Sequence, residues 1–490
     1  MKQILPLLLL IWTGCRSPQS PDAWLPVCQR ALTDSTYVYY TDFSRYPADK
    51  QSLPIAVFDS GTGGFTVLEK LLAMDCFDNE TGEERPDGVP DLLHEEWHYL
   101  ADLANMPYGR YADEGREEYL RELAVKDALF CMGTRYWTSH QEVVPTGRKL
   151  PAKIVVIACN TATAYGLEPI SLLLERAGGP LRVIGVVEAG ATSTLEGLDK
   201  GVEEAAVGVL ATPGTIRSGV YERTLLALAE KSRPGLKLQV VGQPGYGLAE
   251  AVDGEAAFVD SRLSDFSADY RGPGLGEGDE EIHPQLLDAY GFDYSEGKAF
   301  IAYGEGGRPC RIQLNSADNY ARFNLLNLLE KVRRQGVQTP LRAIVMGCTH
   351  YPFLQETLSH HLEELRGYTA ADGSHPYQGL IAEDCRFVDP ARRTAYECYR
   401  ALQAEGYLNP QRQEGGLQAF VSRPSALLPA HCVDAEGNLT YDFKYGRTEG
   451  SDELTTVVVP LSAETLRGGH LERIGRLLPL CHRKLVEAMR

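Results

Sequence analysis

The strongest constraint on how this chain can fold is a pattern that occurs twice. Ile154-Val-Val-Ile-Ala-Cys159-Asn-Thr161 and Ala343-Ile-Val-Met-Gly-Cys348-Thr349 each read as a short apolar run, a small residue, a cysteine and a threonine. An apolar run without alternation marks a strand buried on both faces, and such strands belong to parallel sheets covered by helices. Similar short runs cover 53–58, 97–101, 153–158, 182–187, 206–210, 236–241, 342–346 and 386–388. Between many of them lie helix-period segments at 65–73, 114–131, 162–177, 215–231, 316–334, 353–366 and 391–404. A weaker echo pairs the Gly-containing turns Asp59-Ser-Gly-Thr-Gly-Gly64 and Ala211-Thr-Pro-Gly-Thr-Ile-Arg217. The pattern predicts an α/β fold: two pseudo-symmetric α/β domains with largely parallel sheets facing a shared cleft. Each domain then contributes one cysteine at a strand end, where open α/β sheets bind ligands.

Composition narrows the function. The 490 residues, 43% of them hydrophobic, are enough for two or three sizeable cores. Sixty-seven acidic residues against 48 basic ones leave a net charge of −19, which argues against a nucleic-acid partner. No apolar run reaches the roughly 18–20 residues that span a bilayer. The eleven cysteines include no Cys-x-x-Cys pair, and this is far from a disulfide scaffold.

The N-terminus has its own signature. Lys2, an apolar run from Ile4 to Trp12 and then Thr13-Gly14-Cys15 form a secretory signal over 1–15. It resembles a bacterial lipoprotein signal, with Cys15 as the lipidated residue and a polar, Pro-rich tether over 16–50. The expected address is the periplasm or cell envelope, with membrane contact only through the lipid. The alternative is a cytoplasmic enzyme that starts near residue 50.

Three stretches break the strand–helix alternation. Residues 75–96 are acidic and rich in Gly and Pro, and read as a solvated surface insertion. Calcium binding is the sharper reading, but Asp78-Asn79-Glu80-Thr81-Gly82 lacks the alternating ligands of an EF-hand loop. Residues 253–315 read as a long insertion or lid, and 423–490 as an extension ending in a helix-period stretch.

A cysteine at a strand end before a helix meets unpaired N–H groups and a partial positive charge, which favour thiolate. Cys159 precedes Asn160, Thr161 and Thr163, and Cys348 precedes Thr349 and His350. These neighbours suit either capping a helix or binding a carboxylate. One buried cysteine is more often structural than chemical, but two in echoing settings reverse that expectation. Two thiols facing one cleft suit inversion of a carbon centre: one removes a proton while the other returns a proton to the opposite face. Asp59 is placed to orient a thiol or simply to close a turn, and His350 to tune Cys348 or to cap a helix.

These residues resemble the glutamate racemases of the cofactor-independent aspartate/glutamate racemase superfamily. The likeness is carried by Ile55-Ala-Val-Phe-Asp-Ser-Gly-Thr-Gly-Gly-Phe-Thr-Val67, Tyr99 to Asp102 with Pro107-Tyr-Gly109, Ile157-Ala-Cys-Asn-Thr-Ala-Thr163 and Val183-Ile-Gly-Val-Val-Glu-Ala-Gly190. It continues through 208–222 and Gly347-Cys-Thr-His-Tyr-Pro352, in family order over about 53–422. The resemblance implies Cys159 and Cys348 as proton-transfer residues, and Glu250 as an acidic group near the cleft. Asp59, Ser60, Tyr108, Gly109, Asn160, Thr161, Thr349 and His350 would hold the amino acid. It implies no cofactor and no metal, an acidic amino-acid substrate, and often a homodimer. A chain that crosses twice between domains puts the first at 50–189 plus 386–490 and the second at 190–385. Aspartate or another acidic amino acid is the nearest alternative substrate. The rival from another class is a non-catalytic envelope lipoprotein that binds amino acids or cell-wall fragments on the same scaffold. Relatives that make D-glutamate for the cell wall work in the cytoplasm and are roughly half this length, which leaves both insertions and the tail unassigned.

Overall fold

The computed structural model describes residues 24–451, 454–466 and 470–489. The signal stretch 1–15, with Cys15, and the start of the tether lie outside the described residues. None of the helices among the described residues is long and apolar enough to cross a membrane.

Two sheets organise the chain. The first runs Thr456–Pro460, Leu417–Pro424, Trp97–Ala101, Ile55–Asp59, Ile154–Ile157, Arg182–Gly185 in spatial order. All its pairings are parallel except that between Leu417–Pro424 and Thr456–Pro460. The second runs Ile381–Val388, Leu341–Gly347, Glu204–Ala211, Lys237–Pro244 and is parallel throughout. The fold is α/β with largely parallel sheets.

The apolar runs do not alternate because both faces of each sheet are covered. Ile55 and Val57 pack into one core, whereas Ala56 and Phe58 pack into another on the opposite face. Ala343 and Val345 likewise separate from Ile344 and Met346. Successive side chains point to opposite faces, and each large one gains about 1.5–3 kcal/mol from burial, so the central strands are almost wholly apolar, while the edge strands Ile381–Val388 and Lys237–Pro244 carry exposed polar residues. Functional side chains therefore collect at or just past the strand ends, at Asp59, Cys159, Thr212 and Cys348.

The chain departs from the sequence expectation in three places. Ile381–Val388 pairs with Leu341–Gly347, so the return to the first sheet comes after Val388 rather than at 386. The tail is no appendage to that sheet. Leu417–Pro424 pairs with Trp97–Ala101, and Thr456–Pro460 extends the edge. Leu417–Pro424 is bounded by Gly415-Gly416 and ends on Pro424, and Thr456–Pro460 is only five residues and ends on Pro460, so both read as punctuation. Finally, the 253–315 insertion contains an antiparallel hairpin, Ala299–Tyr303 with Pro309–Leu314. Its loops lack periodicity because buried asparagines hold them. On the helix Ala317–Arg334, Asn319 Nδ2 donates to the Asp293 and Lys298 carbonyls at 2.8 and 3.0 Å, and Asn327 Nδ2 to that of Asp279 at 3.1 Å.

The acidic stretch 75–96 is a surface loop tied by its own carboxylates. Asp91 accepts from the Cys76 and Phe77 amides at 2.7 and 3.0 Å, and Asp75 from those of Asp87 and Gly88 at 3.0 Å each. These carboxylates close turns, as Asx residues do in loops.

Candidate active site

The C-terminal ends of strands from both sheets converge on one narrow cavity. Cys159 and Cys348 both line it, one from each sheet. Cys159 caps the helix Asn160–Ala177, its Sγ accepting from the Ala162 amide at 3.4 Å. The Ser60 hydroxyl is 3.6 Å from the same sulfur. Burial, reinforced by the charge of Asp59, pushes the Cys159 thiol up to about 12, so it carries its proton at neutral pH.

Cys348 has a different partner. His350 Nδ1 lies 3.6 Å from its Sγ, and His350 Nε2 lies 2.8 Å from Asp253 Oδ2. Burial works against a charge on His350, but the Asp253 carboxylate outweighs it, and the imidazole is held well above its ordinary range. Asp253 was not a sequence candidate. It sits three residues after Glu250 on the short helix Leu248–Asp253, so the two carboxylates share a face. That spacing was the available signal. Glu250 does line the cavity, with its carboxyl raised by burial, but the carboxylate against His350 is Asp253. Glu255, also missed, lines the cavity too, and burial pushes its carboxyl up to about 7.

The remaining candidates separate into those that face the cavity and those set behind it. Ser60, Asn160, Thr161 and Thr349 line it. The Asn160 carbonyl oxygen accepts from the Tyr221 hydroxyl at 2.5 Å, which leaves its amide N–H groups as the free end. Thr161 Oγ1 is 2.8 Å from Thr212 Oγ1 and 3.0 Å from Thr215 Oγ1, a hydroxyl cluster that joins the two halves. Tyr108 and Gly109 also form wall, beside the cis Met106-Pro107 bond. The Tyr108 hydroxyl, however, is committed to Asp102 at 2.5 Å and Asp127 at 2.6 Å, so it is not available to a ligand.

Asp59 and Thr163 lie outside the cavity lining. Asp59 is fully buried, and its Oδ2 accepts from the Gly61 and Gly64 amides at 3.0 Å each. Its Oδ1 is 3.5 Å from the Thr349 hydroxyl. Asp59 thus closes the glycine turn and braces the Cys348 loop. Thr163 Oγ1 donates to the Cys159 carbonyl at 2.9 Å, a back-bond within its own helix, so it cannot bind a carboxylate in the cavity.

No family model matches the chain. Curated proteins do. The chain is similar to glutamate racemases. It is 34% identical over 218 residues to the glutamate racemase of Deinococcus radiodurans, which covers 44% of this chain and 58% of that protein. With that of Geobacter metallireducens the identity is 24% over 368 residues, 75% of this chain and 87% of the other. The chain spans about half the length of the first curated relatives it matches, 49% and 58%. Among solved structures, glutamate racemase isoform RacE1 of Bacillus anthracis aligns with a TM-score of 0.41 and 20% identity over 76% of this chain and 89% of that one.

Proposed function

We propose that the chain is a cofactor-independent amino-acid racemase that interconverts L- and D-glutamate. The observation that carries the reading is the convergence of Cys159 and Cys348, from different sheets, on one cavity lined by amide and hydroxyl groups. One cysteine, as thiolate, takes the α-proton, and the electron pair left on carbon delocalises into the α-carboxylate. The opposite thiol then gives its proton to the other face, and the exchanged protonation states run the reverse reaction. In the unliganded protein Cys159 is the proton-bearing partner. Cys348 is the sulfur next to the imidazole of His350, which the Asp253 carboxylate holds in its charged form. Helix and turn N–H groups after Asp59, Cys159 and Cys348 provide the setting for the substrate carboxylates. The similarity to glutamate racemases favours glutamate over aspartate.

The test is solvent-deuterium exchange at the α-carbon of L- and D-glutamate, followed by NMR. Exchange with both enantiomers is expected in wild type, and racemisation is expected to be lost in Cys159→Ala and Cys348→Ala with the fold intact. Tight binding without exchange would instead establish the binding-protein reading. The basic, apolar and small-residue sequence before Cys15 supports a lipid-anchored envelope address, tested by fatty-acid labelling of wild type against Cys15→Ala. A homodimer, proposed from the resemblance, is tested by light scattering.

A further inference from the structure

The inference drawn here rests on racemisation at Cys159 and Cys348, and concerns what holds the second thiol's charge partner in place. Asp253 closes a helix of only six residues and is followed by Gly254 in the left-handed region, φ +72°. Its own element gives the carboxylate little support. The support comes from the C-terminal tail. Arg473, on the helix His470–Leu477, donates from Nη2 to Asp253 Oδ1 at 2.8 Å and from Nη1 to the Val252 carbonyl.

The two Asp253 oxygens are therefore divided between partners. Oδ1 faces Arg473, with the Thr62 hydroxyl at 3.5 Å, and Oδ2 faces His350 Nε2 at 2.8 Å. The Asp253 side chain is 4% exposed and that of Arg473 17%. The same guanidinium lies 5.1 Å from the ring of Phe353, in the turn that follows His350. Arg473 thus touches both the carboxylate and the segment carrying the imidazole. A planar guanidinium with several fixed donors suits this bridging better than a lysine would.

We infer that Arg473 is a positioning residue for the reaction: it fixes the Asp253 carboxylate against His350, which addresses Cys348, and so makes the C-terminal tail part of the active site. This gives a role to a segment that the family resemblance left unassigned. The other charged groups that face His350 are Asp59, Glu250 and Glu255, with Lys444 of the tail acting in turn on Glu255.

Two roles for Arg473 predict opposite pH effects. If it positions Asp253, its removal lets the carboxylate turn away. Burial then dominates, and His350 loses its proton at lower pH. If it acts only as a nearby positive charge, its removal raises the imidazole instead. The experiment measures kcat/KM for α-proton exchange against pH with the full chain, for both enantiomers. It compares wild type, Arg473→Gln, Arg473→Lys, Asp253→Asn and the Gln/Asn double variant, with thermal unfolding as the check on folding. Arg473→Gln should lower kcat/KM about tenfold or more, since misplacement by about 1 Å costs up to about a hundredfold. The alkaline limb should move to lower pH, the lysine variant should recover part of the loss, and Arg473→Gln should add nothing on the Asp253→Asn background. Unchanged kinetics in Arg473→Gln, an upward shift of the limb, or an equal loss on both backgrounds would overturn the inference. Should Arg473→Gln not fold, wild-type kinetics in Arg473→Lys, which cannot reproduce the two-nitrogen bridge, would overturn it as well. Absence of exchange in wild type would overturn the racemase reading itself, and this inference with it.

Discussion

Gly63 offers the most direct test of how closely the two halves must approach. A Cβ built on it would lie 2.8 Å from both Nδ1 and Cε1 of His350, and nearer still to Thr349 Oγ1. Ordinary contact begins near 3.4 Å, so the glycine turn and the Cys348 loop would have to separate by at least about 0.6 Å. Neither neighbour yields easily. Thr349 is tied toward Asp59, and His350 is held between Cys348 and Asp253. Overpacking of this kind costs about 1–3 kcal/mol. The kinetic penalty should be larger than the stability change implies. The displaced residues carry the proton-transfer geometry, and a 1 Å error there costs about a hundredfold in rate. Gly63→Ala should therefore lower α-proton exchange by one to two orders of magnitude while the protein remains folded. Gly367→Ala is the matched control. It ends the helix Gln355–Gly367 with nothing near its Cβ, so it should be neutral or stabilising by about 0.5–1 kcal/mol. Both variants are assayed by deuterium exchange and thermal unfolding. Wild-type exchange in Gly63→Ala would refute the argument that glycine is required there for close approach.

Other perturbations probe separate parts of the structure. Cys159, held as a thiol to about pH 12 by burial, should resist iodoacetamide at pH 8 while exposed Cys310 reacts, as peptide mass spectrometry would show. Asp127 is raised well above the carboxylate range by burial and by Asp102, so the folded protein binds its proton more tightly than the unfolded chain. The stability linked to that proton is present in acid and is lost as pH rises above about 4. Asp127→Asn should consequently melt higher than wild type at pH 7, and the advantage should vanish near pH 4. Lys153 has no exposed side-chain surface and pairs with Glu95 while donating to the Gln51 and Tyr407 carbonyls at 2.7 and 2.8 Å. Lys153→Met leaves a buried carboxylate without its cation and should cost about 3–5 kcal/mol in urea unfolding.

Much of the scaffold is legible in the sequence because a strand covered on both faces has to be apolar at every position. Trp97–Ala101 and the helix Phe65–Ala73 match the expected spans, the other expected strands shift by a few residues at their ends, and Leu417–Pro424 and Thr456–Pro460 have no counterpart among the expected strands. Helix 186–196 was absorbed into a strand expectation, because Val186 and Val187 continue an apolar run across the strand–helix junction. The candidate site was partly legible. Cys159 and Cys348 were found through their local pattern. Thr163 was misplaced because hydroxyls four residues along a helix cannot be told apart from ligands by spacing alone. Asp253 escaped because the sequence marks it as the start of an insertion, and only the fold turns its carboxylate toward His350.

By itself, the sequence determined the parallel α/β construction and the two thiols at strand ends. Both follow from local demands: continuous burial along a strand, and the turn chemistry where it stops. The tertiary structure alone decided which groups surround those thiols. His350 stands against Asp253, Asp253 against Arg473 of the tail, and Thr161 against Thr212. These contacts join residues far apart in the chain, and no local pattern encodes them, because each depends on how two sheets and a tail pack together.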